Sequence, residues 1–126
     1  MMQRLIGFVA AMVLCAGAPV LAHHSGAMFD RAQSVTVTGT IKQYQFTNPH
    51  VWIELVVPGK EGHEVQWSIE GEGPSIMARM GLGPSVLKVG DKVTIRAHPL
   101  RDGRPGGSFI AITLASGKVI APPQRL

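Results

Sequence analysis

Histidine is the residue type in this chain with the most scope for chemistry, because its ring titrates near neutral pH and either ring nitrogen can ligate a metal. Five are present: His23 and His24 side by side, His50 directly after Asn48-Pro49, and His63 and His98 each alone. If the chain is cut between Ala22 and His23, the new amino group and the His23 ring can chelate one ion together. An imidazole from His24 or His50 then adds a third nitrogen. Such a nitrogen set favours Cu(II), and imidazole also suits Zn and Ni. The candidate metal ligands are therefore His23, His24 and His50, with Cu(II) as the candidate cofactor. Plainer readings stay open beside this one: a polar leader for His23 and His24, and for His50 a ring that bonds main chain and holds a corner.

A second group of side chains suits an organic ligand. Trp52 lies opposite the apolar face of its strand, and Arg96, His98 and Arg101 fall where a later strand runs into its loop. Together these four make a candidate face for a small anionic or saccharide ligand, or for another envelope protein. Trp67 is in phase with Val65 and Ile69 and reads as core. Glu70 and Glu72 precede Pro74 and read as favourable negative charge at a helix start. There is no phosphate loop, nucleophile elbow or His-Glu-His zinc motif. No carboxylate stands at metal-site spacing from a histidine, so the residues describe a binding module rather than an enzyme. The formal charge of +4 is a small surplus. It is not clustered into a groove for polyanions, so nucleic acid is not an expected partner.

The start of the chain carries Arg4 and then an uncharged apolar run from Leu5 to Ala18. Val20 and Ala22 satisfy the small-residue demand of a signal peptidase, and the run falls short of the roughly 20 residues a membrane span takes. Residues 1–22 thus read as an export signal, the mature protein as periplasmic or secreted, with no membrane span after cleavage. The single cysteine, Cys15, leaves with the signal. Leu14 before it is unlike a lipoprotein signal, so no lipid anchor is expected. What remains has no disulfide and depends on apolar packing.

The elements that would position these residues follow from periodicity. Residues 23–34 form an irregular arm that Met28 and Phe29 can pin. From Val35 to Phe46 the apolar positions alternate and then change phase, which calls for a bulge, with Gly39 allowing the strand to coil. Pro49 drives Asn48 from the helical region, so Asn48-Pro49 turns the chain and leaves His50 at a sheet rim. Val51, Ile53, Leu55 and Val57 face one way in a second strand, and Val65, Trp67 and Ile69 in a third, joined as a hairpin through Pro58 to Gly62. Pro74 opens a short helix that Gly81 closes, with Ile76, Met77 and Met80 as its apolar side. Lys88 to Asp91 turns into a fourth strand at Val93, Ile95 and Ala97, and Ser108 to Leu114 is a fifth. Lys118 to Ile120 is a last extended piece. Three strands, a helix and two strands, with a coiled first strand, is the connectivity of an OB-like Greek-key barrel of five to six strands over residues 35–121, with 122–126 as a tail. A β-sandwich would need more strands.

The stretches Ala22-His23-His24-Ser25, Met28-Phe29-Asp30, Thr38-Gly39-Thr40, Thr47-Asn48-Pro49-His50-Val51-Trp52, Trp67-Ser68-Ile69-Glu70, Arg79-Met80-Gly81, Leu87-Lys88-Val89-Gly90-Asp91 and Leu100-Arg101-Asp102-Gly103 together resemble a family of small exported bacterial proteins of unknown function. The resemblance covers essentially the whole chain after residue 22. It implies a periplasmic or secreted bacterial protein with an OB-like barrel, and brings no activity or site with it.

Overall fold

The computed structural model describes residues 26–123. The expected signal segment, His23 and His24, and the last residues of the tail lie outside them. Among the described residues six strands are formed: β1 (Val35–Gln45), β2 (Trp52–Pro58), β3 (Glu64–Glu70), β4 (Lys92–Pro99), β5 (Gly106–Thr113) and β6 (Val119–Ile120). One α-helix, α1 (Pro74–Met80), lies between β3 and β4, and 3-10 turns occupy Gly26–Met28 and Lys60–Gly62.

The sheet runs β3-β2-β1-β4-β5-β6, and a parallel pairing of β3 with β5 closes it. Closure hides the edges that an open sheet would expose. This is a mainly β, OB-like barrel of five strands with β6 added beside β5, as the connectivity predicts. The expected bulge falls between Ile41 and Gln43, where the β1–β2 register shifts. It lets β1 bend, so that its first half pairs with β4 and its second half with β2. Gly39 stands at this bend because β2 passes over it: a Cβ there would lie 2.5 Å from Val56 O.

Ile41, Val51, Ile53, Leu55, Ile69, Met77, Leu82, Ile95 and Ile112 are fully buried, and among the described residues no polar side chain is buried with them. Full burial of an aliphatic side chain of this size stabilises by about 1.5–3 kcal/mol, so apolar packing dominates the interior. α1 plugs one end of the barrel. Pro74 begins it, Gly81 ends it in the left-handed region at φ 102, and the Gly81 amide bonds back to the carbonyls of Met77 and Ala78. Leu82, directly after this cap, is as buried as any strand residue. Tyr44 holds the segment by donating its hydroxyl to the carbonyls of Leu82 at 3.1 Å and Gly83 at 3.2 Å.

Three expectations about side chains are corrected. Ile76 stays 41% exposed, so Met77 alone of the helix is buried. Val65 is at the surface although in phase with buried Ile69, because β3 runs out beyond the barrel wall towards its hairpin. Glu70 and Glu72 do not cap α1, whose N-cap is Gly73 without any side-chain bond.

Candidate functional site

The corner between β1 and β2 is built from the backbone outwards. The Asn48–Pro49 peptide is cis. Val51, the first residue past the corner, is fully buried, and its amide donates to Glu72 O at 3.0 Å while its carbonyl accepts from the Gly71 amide at 2.7 Å. Gly71 permits this approach, since a Cβ there would press on the Met77 thioether and on Val51 O. The corner is thus clamped against the segment that links β3 to α1. His50 precedes Val51 and is carried to the end of β3.

There the ring meets Glu70. Nδ1 of His50 lies 2.8 Å from Oε1 of Glu70, with the histidine side chain 27% exposed and the carboxylate 13%. A carboxylate taken that far from water needs a partner, and the ring supplies one. Nδ1 itself is shielded from solvent. The exposure of the side chain therefore belongs to its other atoms, and the Nδ1 contact turns Nε2 away from Glu70. The sequence reading missed this pairing. Its signal was the β2–β3 hairpin register: pairing Pro58 with Glu64 sets every pair down to Trp52 with Glu70, beside the corner.

Trp52, Glu70, Ser108 and His98 form one outward-facing row across β2, β3, β5 and β4, each opposite the next. The seam between β3 and β5 passes through its centre. Over that seam lies a pocket of about 130 Å³ whose walls include His50, Glu70, Ser108, Met28, Phe29 and Arg31. The arm supplies one side of it. Phe29 is buried and bridges to Leu100, and the Asp30 amide donates to Pro99 O at 2.8 Å. Arg101 donates twice, from its amide to Met28 O at 2.9 Å and from Nε to Ala27 O at 3.0 Å.

The candidate residues separate accordingly. His50 lines the pocket. His23 and His24 lie outside the described residues, yet His24 is two positions before Gly26, another wall residue. His98 is turned to the arm, its Nδ1 2.8 Å from Gln33 O, and Arg101 is bound to the arm as well. Arg96 lies further along β4 on the outer face, opposite Thr36 and Ala111. Trp52 stands at the end of β1 opposite Gln45. Among the four residues of the expected ligand face, Trp52 and His98 share the row, while Arg96 does not join them. His63 is exposed in the β2–β3 loop. Among the described residues no three His, Cys, Asp or Glu side chains converge on a metal-sized point.

No described helix is long and apolar enough to cross a membrane. No curated protein matches the sequence. Among solved structures, the chain is similar to the mitochondrial single-stranded DNA binding protein Rim1 of S. cerevisiae, at 12% identity over 66% of this chain and 93% of that one, with a TM-score of 0.51. That likeness shows the barrel fold alone. Residues 10–109 match the model of DUF6152, a family of unknown function, and this span takes in the arm, the His50 corner, Glu70 and the β4–β5 loop, so the chain belongs to that family.

Proposed function

We propose that the protein is an exported binding module that holds a divalent metal, Cu(II) foremost, with His50 as the ligand fixed on the barrel and His23 and His24 as donors carried in by the arm. The observation that supports this reading is the His50–Glu70 contact of 2.8 Å through Nδ1. Metal-ligating histidines characteristically give one ring nitrogen to a carboxylate, which fixes the ring and raises the basicity of the other nitrogen. Position along the chain supports it too. The arm is anchored at Met28, Phe29 and Asp30, and Gly26 lines the same pocket as His50. His24 is two positions before Gly26 in the sequence. Removal of residues 1–22 would start the chain at His23 and make its amine a ligand beside its ring.

The test is a Cu(II) titration of the protein processed at His23, against the same protein with one residue added before His23 and against His50→Ala. Both changes are expected to weaken binding by at least about tenfold, since each removes one nitrogen of the set. Equal affinity for all three proteins overturns the reading.

A further inference from the structure

Trp52 is a tryptophan that the core does not use. It is half-buried on the outer face of β2, while Ile53 and Leu55 on the same strand point inward and are fully buried. It belongs neither to the buried cluster nor to the partly buried residues packed against that cluster, although Trp67 on β3 does. Two positions along β2, about 7 Å on, Glu54 shares the outer face. There four polar side chains from three strands are joined. Lys42, at the bulge of β1, donates from Nζ to Gln66 Oε1 at 2.7 Å, and Gln66 donates from Nε2 to Glu54 Oε2 at 3.1 Å. Ser68 donates from Oγ to Glu54 Oε1 at 2.6 Å. Each bond fixes the next, so the directions of the Gln66 amide and the Glu54 carboxylate are set before anything binds. An ammonium has three N–H groups and an amide two, so Lys42 and Gln66 have donor capacity beyond these bonds, as the carboxylate and hydroxyl have acceptor capacity.

We infer that this face, from Trp52 to Gln66, is a docking platform for an uncharged saccharide chain. The inference goes beyond the metal reading and does not depend on it, since none of these five residues lines the His50 pocket. Charge selects the occupant. Glu54, with Glu64 and Glu70 on the outer face of β3, repels phosphates and other polyanions, and Lys42 within the network opposes a cationic peptide. A saccharide hydroxyl carries no charge and both donates and accepts, which suits a network where donors stand beside acceptors. The flat C–H face of a sugar ring is apolar and covers an indole, while its hydroxyl edge reaches polar groups, so one short chain uses both parts of the face.

The test measures, by calorimetry, binding of three uncharged hexasaccharides: β1,4-linked glucose, α1,4-linked glucose and β1,4-linked N-acetylglucosamine. EDTA is present throughout, which keeps the result separate from metal binding at His50. At least one sugar is expected to bind, with affinity constant within about twofold as salt rises from about 0.05 M to about 0.5 M. Trp52→Ala is expected to lose at least about tenfold, and Trp52→Phe, which keeps a flat ring, to stay within about threefold of wild type. Gln66→Ala, a change at an exposed position, is expected to lose about three- to tenfold. Melting curves of each variant confirm the fold. Absence of binding to all three sugars at millimolar concentration overturns the inference, and so does undiminished binding in Trp52→Ala. Should Trp52→Ala fail to fold, Gln66→Ala decides, and wild-type affinity there overturns it. Tighter binding of a single-stranded oligonucleotide or an oligolysine, lost in Trp52→Phe or Gln66→Ala and falling steeply with salt, overturns it too and gives the face to a charged partner.

Discussion

His50 and Glu70 come from different strands, and the contact between them depends on two separate registers. The β2–β3 hairpin sets Glu70 opposite Trp52, and the pair of bonds between Val51 and the Gly71-Glu72 backbone draws the corner across to meet it. A shift of one residue in the β2–β3 register would turn Glu70 to the other face of the sheet.

Glu70→Gln keeps the shape of that partner and removes its charge. It is expected to lower metal affinity at His50 by about 10–100-fold, the usual cost of losing an outer carboxylate partner, with the barrel still folded. Competitive metal titration alongside circular dichroism measures both. Wild-type affinity in Glu70→Gln would mean that the carboxylate serves only to stay paired.

The arm depends on Arg101. Arg101→Ala removes the Nε bond to Ala27 O but leaves the amide bond to Met28 O. A local loss of about 0.5–1.5 kcal/mol is expected, the net worth of one such bond. Hydrogen exchange should show the Asp30 amide, which donates to Pro99 O, exchanging several-fold faster while core strand amides keep their protection. No change at Asp30 would show that the arm is held without the Arg101 side chain.

Tyr44 gives the fold a pH dependence at its alkaline end. Burial raises its phenol from 10.0 to about 12. Between those values the folded protein keeps a proton that the unfolded chain has released, so the contribution is complete below the unfolded value of 10.0 and is lost as pH rises through about 12. Tyr44→Phe should lose about 1 kcal/mol near neutral pH, from the missing bonds to Leu82 O and Gly83 O, and should flatten this alkaline decline. Denaturant melts across the range decide it. Parallel curves for the two proteins would remove Tyr44 as the cause.

Gly39→Ala tests the bend in β1. The added Cβ would lie 2.5 Å from Val56 O and 3.0 Å from Val57 Cγ2. Because a backbone atom cannot move aside as a side chain does, a loss of about 1–3 kcal/mol is expected from overpacking. Thermal or denaturant melts measure it, and a wild-type midpoint would mean that β2 is free to shift.

Much of the barrel was legible in the chain because it is written in local patterns. Alternation located β2 and β4, the phase change in Val35 to Phe46 located the bulge, and Pro74 and Gly81 bracketed α1. Leu82 was not legible. It follows a helix cap and belongs to no period, and only the closing of the barrel over that end buries it.

The site divides along the same line. Residue type and the order Asn48-Pro49-His50 were enough to mark His50 as a rim histidine, since turn chemistry is a property of neighbours in sequence. Glu70 looked like a helix charge because it stands near Pro74 in the chain. Strand pairing is non-local, and it alone turned that carboxylate to the ring, set Ser108 beside it, and brought His98 and Arg101 against the arm. The sequence by itself determined which groups could bind and which elements carry them. The tertiary structure decided which of those groups meet, because pairing partners are chosen by register and closure rather than by distance along the chain.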